Sequence, residues 1–293
     1  MDLDKQRVRR GFARAAQTYD QAAFLAREIS ERMSERLDLL RAVPKSVLDL
    51  GSGTGQGARM LRRRYPECVV VELDSAHAML VRSCRAMPWW QRSVLRLKGE
   101  RAARVCGDIE RLPFADRAFD MVWSNLALHW TDLRPALAEV YRVLRPGGVC
   151  MFSTLGPDTL KELRAAYAAA DAHVHVNRFV DLHDIGDILV QARFADPVMD
   201  MEYLRLTYAD VHILLRELKA ASARNANAGR PLGLSGKRTF ERMALAYESY
   251  RVDSRLPATF EIVYGHAWRP ETERRTRGGE AVIQVHPRRA SES

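Results

Sequence analysis

Val47-Leu48-Asp49-Leu50-Gly51-Ser52-Gly53-Thr54-Gly55 is the stretch whose reading decides the fold. A short apolar run carries an acidic residue near its end, and three glycines follow at alternate positions. The run reads as a strand buried on both faces of a parallel sheet, and the glycines as the tight turn into a helix. Glycine suits such a turn because a bound cofactor lying against bare backbone leaves no room for a Cβ. Alone, three alternating glycines are a weak signal, since plain turns use them too. They do not stand alone. A second apolar run over residues 68–73 ends at Asp74. That is about 20 residues beyond the glycines, where dinucleotide-type folds put the carboxylate that accepts ribose hydroxyls.

A third run ends in Gly107-Asp108-Ile109-Glu110-Arg111-Leu112-Pro113-Phe114. Phe119-Asp120-Met121-Val122-Trp123-Ser124-Asn125 and Leu144-Arg145-Pro146-Gly147-Gly148 follow. Over residues 46–155 strands and helices alternate, which predicts an α/β, doubly wound parallel arrangement. Asp49 closes the first strand and faces the glycine turn, able to hold backbone amides or a cationic cofactor end. Asp74 has the ribose position. Asp108, at the tip of the third strand, can take the exocyclic amine of an adenine, with Ile109 packed on the ring. No lysine follows the glycines as a phosphate-binding P-loop requires.

This ordered set, covering residues 44–155, resembles the class I S-adenosylmethionine (SAM)-dependent methyltransferases. The resemblance implies a Rossmann-like, seven-stranded mixed sheet with SAM as cofactor. It groups Asp49, Gly51, Ser52, Gly53, Gly55, Asp74, Asp108, Ile109 and Asn125 as the cofactor-binding residues. An acidic rather than basic surround suits a sulfonium, which is positively charged and carries no phosphate.

The chain has 293 residues, 47% hydrophobic and 28% charged, ordinary proportions for one globular enzyme. No apolar stretch approaches the ~20 residues that span a bilayer, and the N-terminus has no apolar signal region. A cytoplasmic protein is expected. Cys68, Cys84, Cys106 and Cys150 form no Cys-x-x-Cys pair. All four read as reduced core or near-core thiols, with neither zinc nor disulfides expected. The net charge of +9 matches nucleic acid, an acidic protein carrier, or no partner beyond a solvated arginine-rich surface. No base-reading motif accompanies it, so nucleic acid is not expected.

Val8, Phe12, Ala15, Ala16 and Tyr19 fall on one helical face, and a second helix over about 22–41 is stopped by Pro44. Residues 1–43 therefore read as an N-terminal helical cover beside the cleft. Residues 44–206 read as the core, 207–250 as an inserted helical lid, 251–268 as the final core strand and 269–293 as a disordered tail. A surface excursion is expected around Pro88-Trp89-Trp90. The lid breaks over residues 225–237, where Gly229, Pro231, Gly233 and Gly236 gather.

Three flanking segments narrow the family. They are Phe12-Ala13-Arg14-Ala15-Ala16-Gln17-Thr18-Tyr19-Asp20, Ser124-Asn125-Leu126-Ala127-Leu128-His129-Trp130, and Phe152-Ser153-Thr154-Leu155-Gly156-Pro157-Asp158-Thr159-Leu160. With Leu218-Lys219-Ala220 and Gly233-Leu234-Ser235-Gly236-Lys237, they are similar to the malonyl-acyl-carrier-protein O-methyltransferases of biotin synthesis. Leu256-Pro257-Ala258-Thr259-Phe260 is also similar to the complex I assembly relatives that hydroxylate a protein arginine. A methyltransferase for another small acid or a quinone shares residues 44–155 as well.

The first resemblance implies esterification of the free carboxylate of malonyl-acyl carrier protein, or of malonyl-CoA. An acidic, malonyl-loaded carrier is then the partner of this basic chain. Tyr19 and His129 are the catalytic candidates. The Tyr19 hydroxyl orients the carboxylate, or its ring packs on the sheet edge. His129 hydrogen-bonds the malonyl group, or fills a structural place beside Trp130. The arginines near the cleft mouth, with Arg230, Lys237 and Arg238 of the lid, are candidate carrier contacts that sequence alone does not rank.

Overall fold

A computed structural model describes residues 3–40, 43–86, 103–223, 225–227 and 236–272, with the backbone of residues 276–277 and 280–281. Pro88-Trp89-Trp90, Arg230, the Gly233-Leu234-Ser235 part of the lid loop and most of the tail lie outside these residues.

The first four strands are β1 (Ser46–Leu50), β2 (Val69–Asp74), β3 (Arg104–Cys106) and β4 (Phe119–Asn125). Then come β5 (Leu144–Leu155), β6 (Ala195–Tyr208) and β7 (Leu256–Trp268). They form one mixed sheet in the order β3-β2-β1-β4-β5-β7-β6, with β7 antiparallel to both neighbours. The order reverses at β1 and β4, so a crevice opens at their carboxyl ends, where the glycine turn lies.

Strand alternation divides the core into two apolar layers. Val47, Met121, Trp123 and Met151 pack with Ile29 and Met33 of α3 (Phe24–Arg36) and Leu61 of α4 (Gln56–Arg64). Leu48, Leu50, Val122 and Phe152 pack on the other face, with α6 (Leu133–Val143) and α8 (Leu182–Gln191). Between α4 and α6 lies α5 (His77–Ala86), and α7 (Lys161–Ala168) follows β5.

The predicted 207–250 insertion holds α9 (Val211–Ala220) and α10 (Lys237–Glu248), between β6 and β7. Asp210 caps α9, accepting from the Ile213 N–H at 2.9 Å. Met243 and Tyr247 of α10 join the first layer, and the Tyr247 hydroxyl donates to Pro257 O at 2.7 Å.

The N-terminal segment differs from its periodicity. The first helix, α1 (Lys5–Ala15), ends because Thr18 N–H turns back onto Ala15 O at 2.9 Å. Tyr19 opens a separate short helix, α2 (Tyr19–Ala22). The second long helix stops at Arg36, with a 3-10 turn at Leu37–Leu39, before Pro44 is reached. Among the cysteines, Cys68 and Cys150 are buried, but Cys84 and Cys106 are exposed. Cys84 lies on an outward helix position and Cys106 at the end of the sheet-edge strand, places a strand-based reading cannot see.

Candidate active site

The glycine turn is held from below. Gly51 N–H and Ser52 N–H both donate to Leu73 O, at 2.8 and 2.9 Å, which joins the turn to β2. Gly51, Gly53 and Gly55 all have positive φ, the left-handed region that side chains rarely adopt. Gly55 also has no space: a Cβ would lie 2.1 Å from Ser83 Oγ and 2.9 Å from Glu72 Oε2. Glu72 is fully buried and pairs with Arg62 at 2.9 Å and Arg104 at 3.4 Å, a charged network underneath the turn.

A cavity of about 380 Å³ opens above it, lined by Gly51, Gly53, Asp74, Asp108, Ile109 and Asn125. Asp74 accepts from Gly53 N–H at 2.9 Å and from Ala76 N–H at 2.7 Å. Burial pushes its pKa up, while these two amides oppose the shift. The amides orient the carboxylate and leave lone pairs facing the cavity. Asp108 accepts from Glu110 N–H at 3.0 Å and from Lys5 Nζ at 2.9 Å. Asn125 donates to Ala26 O at 2.8 Å and accepts from Ser153 Oγ at 2.8 Å, tying β4 to α3 and β5.

Three predicted cofactor residues stand elsewhere. Asp49 shares the Val47 face of β1 by alternation, so its side chain enters the α4 layer and not the cavity. There burial, with the nearby Glu72, pushes its pKa up to about 8, and its Oδ2 has no hydrogen-bond partner among the described residues. Gly57 makes that room, since a Cβ would sit 3.0 Å from Asp49 Oδ2 and 3.1 Å from Trp123 Nε1. Ser52 is buried behind the turn, with its N–H already spent on Leu73 O. Gly55 caps α4 and does not line the cavity.

Tyr19 lines this cavity and also a second, apolar cavity of about 90 Å³. Phe12, Leu126 and Trp130 are shared too. The rings form a wall: Phe12 meets Tyr19 at 6.2 Å and Trp130 at 5.7 Å, and His129 meets Trp130 at 5.0 Å. Burial, with Asp74 and Asp20 nearby, pushes the Tyr19 phenol up to about 12, so it stays a hydrogen-bond donor. His129 lines the second cavity and not the first. Burial lowers its pKa to about 3, so the imidazole is neutral, and Nδ1 has no hydrogen-bond partner among the described residues. Leu126, at φ 50, is a strained non-glycine residue where the two cavities meet.

In the sequence Phe12 was visible as part of a helical face and a motif, and Trp130 as part of a motif, neither as a wall of the site. Lys5 gave no signal at all, because its ion pairs with Asp108 and Glu110 (2.9 and 2.6 Å) join residues far apart in the chain.

Residues 48–152 match the methyltransferase domain family. A Laribacter hongkongensis protein named malonyl-acyl-carrier-protein O-methyltransferase is 54% identical, covering 97% of this chain and 96% of its own length. One of the same name from Gallionella capsiferriformans is 52% identical, covering 97% of both. The chain belongs to the malonyl-acyl-carrier-protein O-methyltransferase family. Among solved structures, the YcgJ protein of Bacillus subtilis aligns with TM-score 0.56 at 16% identity, over 82% of this chain and 98% of its own. A likeness at that identity speaks for the fold alone.

As a member of this family the protein is a SAM-dependent methyltransferase, and its cofactor is SAM. The residues present fit that molecule. The oriented Asp74 carboxylate matches a pair of ribose hydroxyls, and Ile109 offers an apolar face beside Asp108 for an adenine. A Cβ on Gly53 would meet no protein atom within 4 Å, so the bare turn leaves its space to the ligand. Among the described residues no cluster of His, Cys, Asp or Glu could hold a metal, and no helix is long and apolar enough to cross a membrane.

Proposed function

We propose that this enzyme transfers the methyl group of SAM to the free carboxylate of malonyl-acyl carrier protein, giving the methyl ester that starts pimeloyl and biotin synthesis. Relatives at 49–54% identity carry that substrate in their names. The observation that carries the reading is the position of Tyr19. Its protonated phenol stands on the wall between the cofactor cavity and an apolar cavity sized for a small acyl group.

The acceptor carboxylate is already ionised at neutral pH, so no general base is needed. SAM supplies an electrophilic methyl on a sulfonium, which leaves as a neutral thioether. The protein's task is to position and to exclude water, with the attacking oxygen ~3 Å from the methyl carbon and in line with the bond that breaks. Tyr19 donates to one carboxylate oxygen and leaves the other to attack. Neutral His129, which lines the second cavity, serves the malonyl thioester by hydrogen bonding rather than by charge. Asp49, Ser52 and Gly55 support the turn from behind, while Asp74, Asp108, Ile109 and Asn125 hold the cofactor.

Helices α9 and α10 act as a lid. Leu218 of α9 lines the apolar cavity, which supports that role. Exposed thiols at Cys84 and Cys106 suit a reducing, cytoplasmic compartment. The test is transfer of labelled methyl to malonyl-carrier protein, with unloaded carrier as control. Tyr19→Phe should retain SAM affinity and lose roughly 10²–10³-fold in rate, as losing one oriented donor in a dry site does. No label on the malonyl form by wild-type protein that binds SAM would overturn this function and favour the hydroxylase or assembly-factor reading.

A further inference from the structure

A groove of about 280 Å³ runs along α1, lined by Arg7, Arg10, Arg14, Trp130, Ser222 and Asn225 among others. The three arginines fall at i, i+3 and i+7, so they share one exposed helix face. Several other guanidiniums are paired with acids: Arg32 with Glu202, Arg36 with Asp200, Arg142 with Glu139 and Arg145 with Asp120. Among the described residues, no carboxylate lies within 4.0 Å of the guanidinium of Arg7, Arg10 or Arg14. Asp4, the acid that lines the groove, is engaged as the helix cap and accepts from Arg7 N–H at 3.0 Å. Like charges one turn apart destabilise a helix, so an uncompensated row of three is a feature that binding of an anion would relieve.

The groove is built, and it leads inward. Gly11 lets α1 lie directly on Ser222, since a Cβ there would sit 2.7 Å from Ser222 Oγ. Asp4 N–H donates to Ala226 O at 2.9 Å and fixes the opposite wall. Arg7, Trp130 and Asn225 also line a larger cavity of about 430 Å³ that contains His129. That cavity shares His129, Trp130, Leu155 and Phe260 with the apolar cavity at Tyr19. A continuous set of shared walls thus links the arginine row to the cofactor.

We propose that this groove receives the phosphodiester at the head of a carrier protein's flexible acyl arm. The arm then runs past Trp130 to present its terminal carboxylate at Tyr19, and the carrier's acidic surface docks on α1. Arginine forks suit phosphate oxygens, and a charged rim suits transient docking of an acidic protein. This rests on the function proposed above and ranks contacts that the sequence left unranked.

The test is Arg10→Glu/Arg14→Glu, assayed with malonyl-carrier protein, malonyl-CoA and malonyl-N-acetylcysteamine, a thioester with no phosphate. For malonyl-carrier protein KM should rise at least tenfold with kcat within about twofold, as lost docking rather than lost chemistry requires. Malonyl-CoA should suffer less, because it brings no protein surface. Transfer to the phosphate-free thioester and SAM affinity by calorimetry should match wild type, and Arg10→Lys/Arg14→Lys should restore most of the KM. An unchanged KM for the carrier would overturn the proposal. So would equal losses on the phosphate-free thioester, which would make the arginines structural, or on malonyl-CoA, which would make the groove a free-nucleotide site. Wild-type protein that methylates none of the three would instead overturn the proposed function.

Discussion

Asp74 shows how one side chain becomes specific. Its oxygens are fixed by Gly53 N–H and Ala76 N–H, so the carboxylate meets a diol without paying to order itself. Asp74→Ala removes a charge-assisted acceptor of two hydroxyls, each such bond worth roughly 1.5–3 kcal/mol. SAM affinity should fall at least tenfold by calorimetry, with the folded state intact by circular dichroism. Unchanged affinity would show that Asp74 does not hold the ribose. Asp49, inside β1 and two residues before Gly51, has the opposite fate. It is acidic and beside the same glycines, yet its pKa of about 8 reflects burial against Glu72 and not a ligand.

At the scale of elements, the glycine turn separates two demands that look identical in sequence. Gly53 and Gly55 both have positive φ, at 54° and 77°, and a residue with a Cβ costs roughly 1–2 kcal/mol in that conformation. Only Gly55 adds a clash, against Ser83 and Glu72, whereas a Cβ on Gly53 enters open space. Gly55→Ala should therefore lower the melting temperature more than Gly53→Ala. Gly53→Ala should lose more SAM affinity than its stability loss accounts for. Equal melting shifts for the two variants would contradict this division between a packing glycine and a ligand-facing one. The turn after β4 is coupled to the same element, since a Cβ on Gly51 would lie 2.3 Å from Ala127 Cβ.

For the whole molecule, the buried charges under the turn make stability depend on pH. Asp49 has a folded pKa of about 8 against an ordinary value of 3.8. The folded state therefore binds the proton more tightly than the unfolded chain does. Its contribution is fully present below pH ~4 and is lost as pH rises toward ~8, with a slope of at most roughly 1.4 kcal/mol per pH unit. Asp49→Asn removes that dependence. Thermal melts from pH 5 to pH 8 should show wild type losing stability relative to Asp49→Asn as pH rises. A constant difference across that range would mean that Asp49 is ionised in the fold.

The sequence by itself determined the sheet, its cofactor-facing turn and the three carboxylates at the tips of β1, β2 and β3. Those features are local: a buried strand needs a continuous apolar run, and a left-handed turn needs glycine within a few residues. The face of Asp49 was misjudged: the sequence reading turned it to the glycines, whereas in the sheet it shares the face of Val47 beneath α4. Only the tertiary structure decided which carboxylates reach the cavity and which helices close it. The Lys5 bridge to Asp108, the aromatic wall of Phe12, Trp130 and His129, and the seating of the Arg7, Arg10 and Arg14 row beside Ser222 all join distant segments. Periodicity reports a residue's own element. It carries no information about what packs opposite, and that packing sets the burial, the neighbouring charge and the open space on which the chemistry depends.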